Sequence, residues 1–482
     1  MALCRHRIAC RPAVRTKLCC RTPAGGISRR PPIKKFLPNT IHLSWGFGTL
    51  GTVMMINSLT SLYLFFLVGI IGMAPALAGA LIFASKIFDV VSDPVMGWIS
   101  DRTNTRWGRR RPYLFGSSFL CAASMVMLFN LPSFESSFAQ AAYVEFLLLF
   151  FALALTTFNV PYLAMPAEMT DSYSERSTIM SYRALFLVLG TFTGTAIAGL
   201  IAGRLGGDEA AYSTVGWFLA AIAFFAMMTC VVGTRKARFV NNLKAVKVPL
   251  KDQVRFFLVN KPFMVLGGVK IVQFLQLAAG GTSTFFFFVQ VLQKGEQALF
   301  PFGIAYMSAS LLSIRPWVML INRFGKKEIF MFGLVLQSLA FLSWALATPA
   351  EPDWLLYLRA AALGGTISGI VICGQSMVLD VIEYDRRLSG MNREGVASAA
   401  FSFLEKTMYA AGPLLIGGLL SVYGFDNSLP RDAAQPESAL FAITLGMAWI
   451  PGLCSLAMFV GLLFYDLNEQ KIAQTPDKAQ QI

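Results

Sequence analysis

This chain is poor in charge and almost without histidine. Only 14% of its 482 residues are Asp, Glu, Lys or Arg, against 55% hydrophobic. Soluble globular chains carry about 25% charged residues, and a water-soluble fold could not hide this much apolar surface. The two histidines, His6 and His42, lie outside the long apolar runs, which excludes histidine catalysis and His-ligated metal chemistry within them. There is no nucleotide-binding motif and no catalytic triad, so no enzyme and no cofactor is expected, and any work done must draw on an ion gradient. Cysteine is sparse too. Cys121, Cys230, Cys373 and Cys454 fall in apolar stretches, where cysteine acts as a small hydrophobe. Cys4, Cys10, Cys19 and Cys20 follow no zinc-ligand spacing. Acid is missing from residues 1–40, which hold ten lysines and arginines, and no methionine occurs between Met1 and Met54. This segment reads as a disordered cytoplasmic tail, with a targeting segment or a misplaced start as alternatives.

What is present is apolar length. Twelve runs stand out, at 43–70, 75–100, 112–131, 140–168, 177–203, 212–234, 262–292, 297–323, 328–348, 354–382, 394–424 and 437–466. A helix needs about 20 such residues to cross the hydrocarbon core, and short alternating barrel strands would not give runs this long. Lysine and arginine collect in alternate loops: Arg102 to Arg111, Arg235 to Lys261, Arg323 to Lys327, and Arg386 to Arg393. Those loops are cytoplasmic by the positive-inside rule, which puts both termini inside. The net charge of +15 is therefore a topology signal and not a nucleic-acid footprint. The basic stretch 235–261, with an amphipathic segment "VPLKDQVRFFLV", divides two six-helix bundles at 41–234 and 262–467, followed by a tail at 468–482. The halves resemble each other: "DPVMGWISDRTNTRWGRRRPYLFG" after the second run has a counterpart in "RPWVMLINRFGKKEIFMFG" after the eighth. A shift of six helices is the parallel repeat of major facilitator transporters, whose site lies near the bilayer midplane.

Among the ionisable side chains that fall well inside the runs are Lys86, Asp89, Asp93, Arg183, Lys270, Glu405 and Lys406. Each costs roughly 2.5–3.5 kcal/mol on a lipid-exposed helix centre, so they should face inwards and pair. Asp89 and Asp93 share one helical face, about 6 Å apart along the axis. With Lys86 they leave one negative charge over, which a hard monovalent cation would balance through oxygen ligands. Simple salt bridging between helices is the rival reading. In "LTTFNVPYLAMPAEM", Pro161 and Pro166 free backbone groups that neighbours or a cavity must satisfy. Thr156 and Asn159 offer neutral oxygens there, although a threonine can equally bond back to its own helix. The run "TSTFFFFVQVL" reads as a lipid- or partner-facing stripe and not as a sugar platform.

The blocks "LSWGFGTLG", "KIFDVVSDPVMGWISDRTNTRWGRRRP", "DVIEY" and "REG" followed by "EK" resemble the glycoside–pentoside–hexuronide:cation symporter family, to which the melibiose carrier belongs. The spacing from Glu175 and Arg176 to Arg183 adds to the likeness, which covers nearly the whole chain from residue 43. The resemblance implies a coupling cation, Na⁺ or H⁺, held by Asp89, Asp93 and Thr156. It puts Lys86, Asn159, Arg183 and Lys406 at the substrate cavity. Arg109, Arg110 and Arg111 become gate residues, with Glu168, Asp380 and Glu383 as acidic partners in the outward-open state. Galactoside carriers place acids and a tryptophan where this chain reads Val53, Asn159 and Leu163, so a galactoside is not expected. An anionic hexuronide or a neutral glycoside remains, and a lysolipid or other amphiphile is the alternative. The partners implied are a small molecule, a monovalent cation and the lipid bilayer, with no nucleic acid. A monomer in a bacterial inner membrane is expected.

Overall fold

The computed structural model describes residues 38–170, 173–237, 260–389, 394–429 and 433–467, with 471, 474 and 475. The basic segment 1–37, the amphipathic stretch expected at 248–259 and most of the tail beyond 467 lie outside the described residues. Among the described residues there are helices and no strand.

Twelve rods follow in order, as the apolar runs predict. The first six are α1 (Asn39–Ile70), α2 (Pro75–Arg102), α3 (Arg111–Leu128), α4 (Ser137–Met169), α5 (173–204) and α6 (Glu209–Gly233). The second six are α7 (Lys261–Val291), α8 (Glu296–Phe324), α9 (Lys326–Leu346), α10 (Asp353–Ser389), α11 (Glu394–Val422) and α12 (Glu437–Leu463). Ten of them are long and apolar enough to cross a membrane, by length and composition. Apolar segments in lipid must satisfy every backbone group internally, which makes them helical. α10 continues past its apolar run because Glu383 pairs with Arg386 and Arg387 one turn on, support of the i,i+3 and i,i+4 kind.

A proline inside α4 is accommodated by a neighbour. Pro166 cannot donate to the carbonyl of Tyr162, one turn earlier, and the Trp45 indole donates to that oxygen instead at 3.3 Å. Tyr162 returns a hydrogen bond to the Trp45 carbonyl at 2.8 Å and stacks on its ring. The tryptophan of "LSWGFGTLG" thus fastens α1 to the weakened part of α4.

The internal repeat is visible in the backbone. α1 ends with Ile71 N–H donating to Phe66 and Met73 N–H to Leu67; α7 ends with Leu292 N–H donating to Phe287 and Lys294 N–H to Phe288. The two closures have the same register, one in each half.

The halves meet at the ends away from the basic loops. Thr282 donates to the Thr60 carbonyl at 3.0 Å, Asn427 to that of Gly72, and Tyr212 to Glu296 Oε1 at 3.0 Å. The phenylalanine run turns out to be partner-facing: Phe285, Phe286 and Phe287 are fully buried, and Phe286 meets Phe65 edge-on across the halves. α2 and α11 touch backbone to backbone, because a Cβ on Gly417 would lie 2.3 Å from the Pro75 carbonyl oxygen and one on Gly79 2.4 Å from that of Pro413. At the cytoplasmic ends, the ion pairs between described residues run within one half: Arg109 and Arg110 with Glu168, and Lys326 with Asp380.

Gly417→Ala places a methyl group in that backbone contact. Overpacking costs about 1–3 kcal/mol, enough to move a two-state balance about 5–150-fold. A cysteine at Thr60, buried in this closure, should then react faster with a membrane-impermeant maleimide from the outer side. Unchanged labelling would mean that the α2–α11 contact does not hold the outer end shut.

Candidate functional site

Two charge clusters sit midway along the helices. In the first, Lys86, Asp89 and Asp93 line one face of α2. Lys86 Nζ lies 3.3 Å from Asp89 Oδ2 and 5.5 Å from the centre of the Phe151 ring. This puts Lys86 in the carboxylate cluster. Thr156, from α4, donates to Asp93 Oδ1 at 2.9 Å and stands 3.4 Å from Asp89 Oδ1. Of the two readings open for this threonine, bonding across to α2 is the one adopted. Ser92 Oγ approaches Thr156 Oγ1 at 3.4 Å. Sequence reasoning missed Ser92, although its position one turn beyond Asp89 was the available signal. Asp89, Ser92 and Thr156 are buried.

The fourth charge comes from the other half. Lys406 on α11 forms an ion pair with Asp93 Oδ2. The cluster then holds two cations and two carboxylates, so the surplus negative charge expected from α2 alone is cancelled by Lys406. Lys406 and Asp93 remain partly exposed, at 35% and 23% of their side chains, and water reaches the pair. Two carboxylates and two hydroxyls form an oxygen-only set that suits a hard monovalent ion.

The second cluster gathers around Glu405, the residue before Lys406. Glu405 lies within electrostatic reach of Arg183 on α5 and Lys270 on α7. Lys270 is buried, and its ammonium donates to Gln273 Oε1 at 2.8 Å. Lys270 was singled out for its depth but given no role, and Gln273 was missed. Asn159 is half-buried on α4, one turn beyond Thr156. Leu163 is 41% exposed, and Val53 packs towards the α5 backbone at Gly190.

The residues expected at a gate belong to two matching anchors. Arg110 Nε donates to Glu168 Oε1 at 2.8 Å, and Arg111 reaches the carbonyl of Thr234 at the end of α6 at 2.5 Å. In the second half Lys326 pairs with Asp380 at 2.8 Å, and Lys327 donates to the Tyr465 carbonyl just past α12 at 2.6 Å. Each half thus uses consecutive basic residues, one on an acid and one on the carbonyls that a helix C-terminus leaves unpaired. Arg109 joins Glu168. Asp380 and Glu383 meet Lys326, Arg386 and Arg387 here, so the expected meeting of Arg109–Arg111 with them is not formed in this conformation.

A family model described as MFS/sugar transport protein matches residues 44–469. The chain is 26% identical to a symporter of Synechocystis sp., over 89% of this chain and 94% of the relative. It is 26% identical to the isoprimeverose transporter of Lactiplantibacillus pentosus, over 86% and 85%. The same identity, 26% over 86% and 85%, relates it to sodium-dependent lysophosphatidylcholine symporter 1 of Xenopus tropicalis. Among solved structures it is similar to a bacterial homolog of the human lysosomal transporter Spinster, with a TM-score of 0.62 at 14% identity over 91% and 98%. That likeness concerns the fold.

The Asp93–Lys406 pair can be tested without any ligand. Asp93→Asn and Lys406→Gln should each lower the melting temperature of the purified protein, and the double variant should recover part of the loss. Interacting neighbours give coupling energies of about 0.5–3 kcal/mol. A cycle with no coupling would show that the pair does not stabilise this conformation.

Proposed function

The chain belongs to the MFS/sugar transport protein family, and from that premise we propose that it is a cation-coupled symporter of a glycoside-class small molecule. As a multi-pass protein of the plasma membrane it would work by alternating access, with Na⁺ or H⁺ as the coupling ion. The observation that carries this reading is Thr156 standing between the carboxylates of Asp89 and Asp93 while Lys406 holds the remaining Asp93 oxygen. A cation arriving at these oxygens must displace a charge already there. Two unit charges 4 Å apart interact by about 4 kcal/mol at an effective dielectric of 20, so Lys406 is an effective competitor.

The cycle follows from that competition. In the outward-open state a cation on Asp89, Asp93 and Thr156 releases Lys406, and α11 is freed to meet cargo with Lys406, Arg183 and Asn159. In the inward-open state Lys406 retakes Asp93, the pairing seen in this structure, and the cation leaves. Each ligand then changes the affinity of the other by the same factor, a coupling typically of 1–3 kcal/mol. Arg109, Arg110 and Arg111 face Asp380 and Glu383 when the inner ends close, so the anchors seen within each half become a gate between them. All of these parts lie in one chain, which fits a monomeric carrier.

A second reading, lysolipid cargo, is favoured by the exposed Leu163 and by the named lysophosphatidylcholine symporter at the same identity as the isoprimeverose transporter. Vesicle uptake of labelled glycosides and lysophosphatidylcholine, with and without Na⁺, separates the two. Asp89→Asn and Asp93→Asn should abolish uphill accumulation of whichever cargo is carried, while exchange down its gradient persists. Undiminished accumulation in both variants would sink the cation site.

The gate makes a separate demand. Neutralising Arg109 and Arg110 together should change turnover more than half-saturation, since these groups bias a conformational equilibrium and do not touch cargo. A loss confined to substrate affinity would argue against a gate.

A further inference from the structure

The second cluster carries more than the symport reading on which it rests. Glu405 and Lys406 are neighbours on α11, so their side chains leave the helix about 100° apart, and Lys406 is turned to α2. Glu405 is exposed and turned towards α7. Three contacts set the level of the two helices: Phe263 with Phe401 at 5.1 Å, Phe274 with Tyr409 at 6.1 Å, and Gly412 against Ala278. Between the first two, Lys270 stands level with Glu405.

Lys270 is built into its place. It is 3% exposed, bonded to Gln273 Oε1 and seated 5.8 Å from the Phe274 ring centre. A Cβ on Gly374 of α10 would stand 2.7 Å from the ammonium, so the lysine tip lies close against the bare backbone of that glycine. On α5, Arg183 has a buried Nε with no hydrogen-bond acceptor. Arg183 and Lys270 thus both lie within electrostatic reach of one carboxylate, Glu405, while the neighbouring cluster is balanced. One positive charge is left over, together with an unused donor.

We propose that Arg183, Lys270 and Glu405 form a seat for an anionic group of the cargo, a carboxylate or a phosphate. In the empty carrier Glu405 stands in for that anion, as Lys406 stands in for the cation. One helix, α11, then carries tethered substitutes for both ligands, side by side. The empty carrier stays charge-compensated while it reorients, and each arriving ligand displaces its own substitute. A carboxylate or phosphate suits Arg183 because a guanidinium meets planar or tetrahedral oxyanions with paired donors.

Binding to purified full-length protein in nanodiscs tests this with matched probes: methyl β-glucuronide against methyl β-glucoside, and lysophosphatidylglycerol against monoacylglycerol. The first pair reports a sugar carboxylate and the second a lipid phosphate. Wild-type protein should prefer the anionic member of one pair by about tenfold or more, the scale of one charged hydrogen bond. Lys270→Gln should erase that preference, and Lys270→Arg should restore part of it. Glu405→Gln should instead tighten the anionic probe, a direction that misfolding cannot produce. Equal binding of both members of each pair, no binding of either anion, or weaker anion binding in Glu405→Gln would overturn the seat. A seat that passes, in a carrier showing no Na⁺- or pH-dependent accumulation, would refute the symport reading and leave the seat standing.

Discussion

A charge placed at mid-membrane depth must find an opposite charge, and the ion pair between Asp93 and Lys406 is how this molecule meets that demand between its halves. The pair joins α2 to α11 midway along the two helices. Below it, towards the basic loops, ion pairs close upon their own halves; above it, the halves touch through glycine, phenylalanine and Tyr212–Glu296. The pair therefore sits between these two kinds of contact. Anything that removes Lys406 from Asp93 loosens the connection nearest to the pivot.

The same demand explains why each half is stiff. Arg110 on Glu168 and Arg111 on the end of α6 bind three helices into one cytoplasmic corner, and Lys326 and Lys327 repeat the device with α10 and the residues after α12. Buried polar groups left without partners cost about 1–3 kcal/mol each, so these corners open only at considerable expense. Motion is left to the surfaces between halves. Those surfaces are made of small residues and rings with few directional bonds, which can part with less loss.

Much of the fold was legible because lipid imposes a simple rule: an apolar run of sufficient length becomes a helix, and the positive loops set its direction. The carboxylates of α2 were legible from spacing alone, since Asp89 and Asp93 lie one turn apart. Their balance was not. Lys406 is 313 positions away from Asp93, and no local periodicity says which carboxylate it meets or that Glu405 turns the other way. Thr156 had two equally sound readings until α2 was brought beside α4. The place of Lys270 was hidden for a different reason, because it depends on the missing side chain of Gly374 on another helix. The phenylalanine run was apolar on any reading, and only the closure at the outer end decided that it meets protein.

The distribution of the two clusters limits how coupling can travel. The oxygens proposed for the cation belong to α2 and α4 of the first half, while the second cluster draws on α5, α7 and α11. α5 moves with α2 and α4; α7 moves with α11. Only α11 contributes to both clusters, through adjacent residues of opposite sign. A cation that displaces Lys406 changes the field at Glu405 one residue away, and a cargo anion that displaces Glu405 changes it at Lys406. Linkage between the sites then needs no long relay through packed side chains. It follows from the rotation of a single helix that cannot satisfy both its charges in any other way once the ligands have taken their places.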